Sequence, residues 1–219
     1  MGKRIRQISA LLMTLLFSLM VAACGAQGNA EEQKAPAKSV AAPAQEGKRV
    51  LVAYFSRADV NTGGVGYIEK GNTRILAEMI AAKTGGDLFE IKPAKPYPKE
   101  YTPATEVAKQ EKAENARPEI VGELPDMSSY DVVFLGYPIW WGDLPMAVYT
   151  FLEKENFSGK TIIPFCTHEG SGIGSTERFI ADTTKAKMME GLEMRGRVAQ
   201  KEQEKAKAEV EEWLKNSGY

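Results

Sequence analysis

The chain has 219 residues, 43% hydrophobic and 26% charged, which is enough apolar content to bury one sizeable core. A formal charge of −1 with a single histidine excludes the strongly basic surface that nucleic-acid binding needs. With only two cysteines, a disulfide scaffold is excluded, and no Cys or His spacing suggests a metal site.

At the N-terminus, Lys3, Arg4 and Arg6 form a basic stretch ahead of an apolar run from Ile8 to Ala23. Sixteen residues are too few for a comfortable membrane span and right for the core of a signal peptide. The run ends in Val21-Ala22-Ala23-Cys24, which resembles the lipobox of bacterial lipoproteins. That resemblance implies cleavage after residue 23, a lipidated Cys24 and a membrane-anchored protein of the cell envelope, facing outside the cytoplasm. A plain secretory signal with a chance cysteine is the alternative. Cleavage there removes three basic residues and no acidic one, taking the charge from −1 to −4. Residues 24–48 read as the lipidated cysteine and a flexible tether, because Gly25 to Lys48 has no aromatic residue and only Val40 as a large aliphatic.

Residues 49–219 read as the folded domain. Arg49 to Phe55 is an apolar, β-branched run without polar alternation, as in a strand buried on both faces. Ser56-Arg57 and a Gly-rich insert follow. From Asn72 to Lys83, apolar Ile75, Leu76, Met79 and Ile80 mark a helix, stopped by Gly85-Gly86. Asp87 to Ile91 is a short strand, and Ala104 to Ala116 a mostly polar surface helix. Tyr130 to Gly136 is the strongest strand, and Met146 to Glu153 a helix with Pro145 at its first turn. Thr161 to Phe165 is another buried strand, although Pro164 removes one ladder donor. A helix from Ser175 to Thr183, a weak strand near Lys187 to Glu190 and a final helix from Val198 to Lys215 complete the chain. Strands alternating with helices predict an α/β fold, a parallel sheet wrapped on both sides by right-handed crossovers.

In such a sheet, ligands bind beyond the carboxyl ends of the strands. Unusual residues gather at three of those ends. After the first strand come Ser56-Arg57 and then Gly71-Asn72-Thr73 at a helix start, a phosphate cradle in the making. After the third come Pro138, Ile139, Trp140, Trp141 and Gly142. Two adjacent tryptophans there suit a flat heteroaromatic ring. After the fourth come Cys166, Thr167, His168, Glu169, Gly170, Ser171 and Gly172. The glycines allow close approach of backbone N–H groups to a ligand.

Taken together, Leu51 to Arg57 with Gly71-Asn72-Thr73, Gly136 to Gly142, and Phe165 to Gly172 resemble the signatures of the flavodoxin-like family. The resemblance implies a doubly wound five-stranded parallel sheet in the order 2-1-3-4-5, with FMN at the switch point. By the same resemblance, Ser56, Arg57, Asn72 and Thr73 surround the 5′-phosphate. Pro138, Ile139, Trp140, Trp141 and Gly142 line the isoalloxazine, with one tryptophan stacked on it. Thr167, His168, Glu169, Gly170, Ser171 and Gly172 meet its far edge. Arg57 is then the only cation near the phosphate. The residues from Ala58 to Lys70 depart from the compact family loop, so Thr62-Gly63-Gly64 rivals Asn72-Thr73 for the phosphate.

His168 reads as a hydrogen-bond donor to a reduced flavin, a proton shuttle or a loop-stabilising side chain. Cys166 reads as a buried small hydrophobe, not a nucleophile. No catalytic residue is expected, because the cofactor does the chemistry. Three functions compete: electron transfer to an unidentified redox partner at the cell envelope, an FMN-dependent NAD(P)H oxidoreductase reducing quinones or similar small acceptors, and a binding module that has lost FMN.

Overall fold

A computed structural model describes residues 47–219; the signal segment, Cys24 and nearly all of the tether lie outside the described residues. The apolar run after Arg49 forms β1, Val50–Tyr54, all five residues buried. On one side it pairs in parallel with β2, Asp87–Glu90, and on the other with β3, Val132–Pro138. β3 pairs with β4, Thr161–His168, and β4 with β5, Leu192–Arg195, again in parallel. The sheet order is therefore 2-1-3-4-5, as the resemblance implies.

Successive residues of the central strands point to opposite faces, and each face has its own core. Leu51, Ala53, Phe55, Val133, Leu135, Tyr137, Ile162 and Cys166 pack with Ala147, Val148, Phe151 and Leu152 of α3, Met146–Lys154, and Ile180 of α4, Thr176–Thr184. On the opposite face lie Val50, Val52, Tyr54, Val132, Phe134, Ile163, Phe165 and Met194. They meet Leu76, Ala77 and Ile80 of α1, Asn72–Thr84, and Ala206, Val210 and Leu214 of the C-terminal helix. A strand buried on both faces cannot alternate polar and apolar residues, which explains the uniform runs in the sequence.

Four elements differ from the sequence reading. The second helix, α2, spans Tyr101–Ala113, three residues earlier than expected; it tolerates Pro103 in its first turn, and the chain leaves the helical region at Asn115, φ 49°. β4 runs three residues past Phe165, which puts Thr167 and His168 on the strand end. The edge strand is interrupted. Lys187–Met188 pairs with Thr161–Ile162, and β5 resumes opposite Phe165. The gap lies beside Pro164, which has no N–H to offer, and its ring would lie 2.9 Å from a Cβ at Gly191. Finally, the C-terminal helix is two helices, α5, Gly196–Lys201, and α6, Gln203–Asn216, broken at Glu202 with φ −128° and ψ 49°. Both Val198 of α5 and Val210 of α6 reach the same core.

The insert after Arg57 forms a small antiparallel hairpin, Asp59–Asn61 with Gly66–Ile68. Among the described residues, no helix is long and apolar enough to cross a membrane.

Candidate functional site

At the end of β1 the chain turns so that the start of α1 nearly touches it. A Cβ on Gly71 would meet the Arg57 carbonyl at 2.6 Å, so only glycine permits this approach. The helix then begins with Arg74 N–H donating to Ser56 Oγ at 3.1 Å and Ile75 N–H donating to the Gly71 carbonyl. The N–H groups of Asn72 and Thr73 have no acceptor one turn earlier, and they carry the positive end of the helix dipole. Asn72 Oδ1 is buried without a partner. Thr73 is 1% exposed, and its hydroxyl lies 2.8 Å from that of Thr167, tying the helix start to the end of β4.

Arg57 is engaged differently. Its Nη1 donates to the Val60 carbonyl at 2.8 Å, and its Nη2 to those of Pro98 and Lys99, each at 2.7 Å. Burial lowers its pKa. The guanidinium is a strut that fastens the insert hairpin to the segment before α2, reinforced by Val60 N–H to the Lys99 carbonyl at 3.1 Å. The hairpin in turn sets Asn61 and Thr62 along the cleft.

Beyond β3, Trp140 and Asp143 exchange two backbone hydrogen bonds of 2.9 and 3.1 Å. Trp141 (φ 54°) and Gly142 (φ 72°) form the tip between them, the reversal of a type I′ turn. A bulky residue at positive φ is held there against its own preference. The restraint comes from α2. Trp141 Nε1–H donates to the Thr105 carbonyl at 2.9 Å, the Trp141 carbonyl accepts from Lys112 Nζ at 2.7 Å, and Lys109 Nζ sits 5.4 Å from the ring centroid. Trp141 remains half exposed. Trp140 belongs instead to an aromatic cluster, edge-on to Phe55 at 5.2 Å and to Tyr97 at 4.9 Å. The two tryptophans thus play separate parts, one packed against the core and one latched across to the facing helix.

The third loop follows His168, whose Nδ1 accepts the N–H groups of Gly170 at 2.9 Å and Gly172 at 3.2 Å. Gly170 (φ 132°) and Gly172 (φ 70°) adopt backbone shapes that side chains resist. Burial raises the pKa of Glu169 against the pull of Arg195 and Arg197. Cys166 is fully buried, and burial pushes its thiol up to about 12, so it is no nucleophile.

These loops enclose one cleft of about 430 Å³. It is lined by Arg57 and Asn72, by Pro138 to Gly142, and by Thr167, His168, Glu169 and Ser171, all named from the sequence. Ser56, Thr73, Gly170 and Gly172, also named from the sequence, are not among the lining residues. Sequence reasoning missed the opposite wall, Tyr101, Ala104, Thr105 and Ala108 of α2, together with Asn61. Ala104 and Ala108, small residues one turn apart on a polar helix, were the available signal for a wall that leaves room for something flat. Among the described residues, no group of acidic, cysteine or histidine side chains could hold a metal ion.

The sequence model of a family described as Flavodoxin matches residues 49–217. The chain belongs to the flavodoxin family. Among solved structures, a candidate flavoprotein from Bacteroides eggerthii is 32% identical, with a TM-score of 0.55, over 70% of this chain and 94% of its own. A second candidate flavoprotein, from Bacteroides uniformis, is 28% identical, with a TM-score of 0.58, over 78% of this chain and 99% of its own. A Lactobacillus acidophilus flavoprotein solved in complex with FMN shares the fold at 18% identity and a TM-score of 0.53, covering 67% of this chain and 93% of that one. No curated protein matches the chain.

The residues of this cleft fit a flavin mononucleotide. The free N–H groups at the start of α1 suit a phosphate. The orphaned Asn72 Oδ1 beside them calls for a donor such as a ligand hydroxyl. The aromatic loop and the small residues of α2 that border the cleft suit a planar ring.

Proposed function

We propose that the protein binds FMN in this cleft and carries electrons at the cell envelope, anchored through Cys24. The observation that carries the reading is the meeting of free helix-terminal N–H groups, an unpartnered buried amide oxygen and the aromatic loop in one cleft at the carboxyl edge of a flavodoxin sheet. When bound, FMN supplies one- and two-electron chemistry, and the protein supplies binding, orientation and electrostatics.

In this reading, the Asn72 and Thr73 N–H groups hold the phosphate, with Thr62 and Asn61 alongside and Ser56 fixing the helix start. Asn72 Oδ1 takes a hydroxyl of the sugar chain. Pro138 to Gly142 cover one side of the ring, and Ala104, Thr105 and Ala108 leave room on the other. Thr167, His168, Glu169 and Ser171 border the far edge. Arg57 keeps its carbonyl partners on both Nη atoms and positions the insert, while its charge and an unpartnered buried Nε–H line the cleft.

A second reading has a specific observation behind it. Trp141 at the tip of the cleft loop is 50% exposed and Tyr101 at the start of α2 is 40% exposed, which offers apolar surface to a small planar acceptor such as a quinone. That favours an FMN-dependent NAD(P)H oxidoreductase. The visible spectrum of the soluble protein from residue 25 onward tests both. Flavin bands at stoichiometric occupancy are expected, stable to NAD(P)H and bleached by a low-potential reductant. Bleaching by NAD(P)H alone selects the oxidoreductase, and failure of the apoprotein to take up FMN refutes both.

A further inference from the structure

The geometry points to His168 as a neutral hydrogen-bond donor locked in one tautomer, presenting its Nε2–H to an acceptor atom of the ligand in the cleft. A backbone N–H can only donate, so the two that converge on Nδ1, from Gly170 at 2.9 Å and Gly172 at 3.2 Å, require that nitrogen to be an unprotonated acceptor. The proton of the neutral ring must then sit on Nε2. Among the described residues no group takes that Nε2–H, and the side chain lines the cleft. The loop is shaped for this purpose. Gly170 and Gly172 both take positive φ, and those conformations turn their N–H groups back onto the ring.

Protonating Nδ1 would cancel both hydrogen bonds and set a third donor against two others. The surroundings agree with a neutral ring. Burial lowers the His168 pKa most, Glu193 on β5 pulls it up, and Arg195 on β5 pushes it down. Glu193 is itself committed, accepting the Ile173 N–H at 2.7 Å. Glu169, next in the chain, has its own pKa raised by desolvation. A histidine so placed does not shuttle protons at neutral pH. It discriminates among ligands by demanding an acceptor, a carbonyl oxygen or unprotonated ring nitrogen, at one position of the cleft edge.

The donor role rests on the FMN reading, whereas the tautomer does not. The chain has one histidine, so a long-range ¹H–¹⁵N imidazole spectrum of the untagged full chain contains a single ring. In the apoprotein, the pattern of the Nε2–H tautomer is expected, with a titration midpoint below the ordinary 6.5. An Nδ1–H pattern, or a ring charged at neutral pH, overturns the proposal. On adding FMN, the Nε2 resonance should move and its proton exchange slow; a bound FMN that leaves the Nε2 signal unchanged also overturns it. If FMN does not bind, the electron-transfer reading falls, while the apo spectrum still decides the tautomer. His168→Leu is expected to loosen FMN roughly five- to tenfold, the loss of one hydrogen bond. His168→Gln, which keeps a donor and an acceptor, should recover most of that. Equal losses in both variants would reduce His168 to a loop support and refute the donor role.

Discussion

The hydroxyls of Thr73 and Thr167 meet at 2.8 Å across 94 residues of sequence, at 1% and 3% exposure. Thr73→Val removes one hydroxyl while nearly keeping the shape, and it leaves the other, nearly buried at the cleft wall, without its partner. The stranded group costs about 1–3 kcal/mol, centred near 2 kcal/mol, and for a domain of this size that is roughly 6 °C in Tm. Thr167→Val should cost about the same for the reciprocal reason. The double valine leaves nothing unsatisfied, so it should be nearly as stable as the parent, within about 1 kcal/mol. The assay is urea unfolding of the four apoproteins, followed by circular dichroism and read as a double-mutant cycle. The predicted signature is a strong coupling with the double variant above either single. Additive losses, or single variants as stable as the parent, would show that the two hydroxyls do not depend on each other, and the tie between α1 and β4 would have to be abandoned.

The tryptophans should separate. Trp140→Ala opens the aromatic cluster with Phe55 and Tyr97 and is expected to cost about 3 kcal/mol of stability in thermal melts, whereas Trp141→Ala on the half-exposed tip should cost well under 1 kcal/mol. Trp213, edge-on to Phe134 on the opposite face of the sheet, serves as the control and should leave FMN affinity unchanged when replaced by Phe. Glu169→Gln should raise Tm at pH 7 and lose that advantage below about pH 4.5: burial raises the folded pKa, so the carboxylate destabilises the fold increasingly as pH rises through it; a melt series from pH 4 to 8 checks this. Cys24→Ser should abolish incorporation of radiolabelled palmitate and either leave uncleaved precursor or release the protein from the membrane fraction, and normal labelling would end the lipoprotein reading.

How much of this was legible depended on the range over which each feature is determined. The buried strands showed themselves because a strand covered on both faces must be apolar at every position, as Val50 to Tyr54 and Val132 to Leu135 are. The three carboxyl-end loops could be read because local chemistry betrays them, through adjacent tryptophans, clustered glycines and a helix start. What stayed hidden was decided at long range. Nothing near Arg57 says that its donors go to carbonyls of Pro98 and Lys99, some forty residues on. Nothing near Glu202 marks a helix break, since neither Gly nor Pro is present, and the break follows from fitting α5 and α6 to one core. α2 looked like mere surface because its buried residues, Ala104 and Ala108, are small and leave no apolar stripe in the sequence.

The commitment of Arg57 changes the character of the anion end of the cleft. A free guanidinium there would hold any dianion by charge, and would favour phosphate and sulfate alike. With its Nη donors on neutral carbonyls the guanidinium keeps its charge at the cleft wall but not those donors, so in the proposed FMN complex the directional contacts fall to the first N–H groups of α1 and the hairpin's Thr62. The insert makes this arrangement possible, because it gives Arg57 the Val60 carbonyl as a partner and places Asn61 and Thr62 along the cleft. Glu169 lines the cleft as an exposed acidic side chain, its pKa raised by desolvation against the pull of Arg195 and Arg197. In the proposed FMN complex, oriented donors stand at both ends of the cleft, the α1 N–H groups at one and the Nε2–H of His168 at the other, with the charged Arg57 in the lining between the insert and α1.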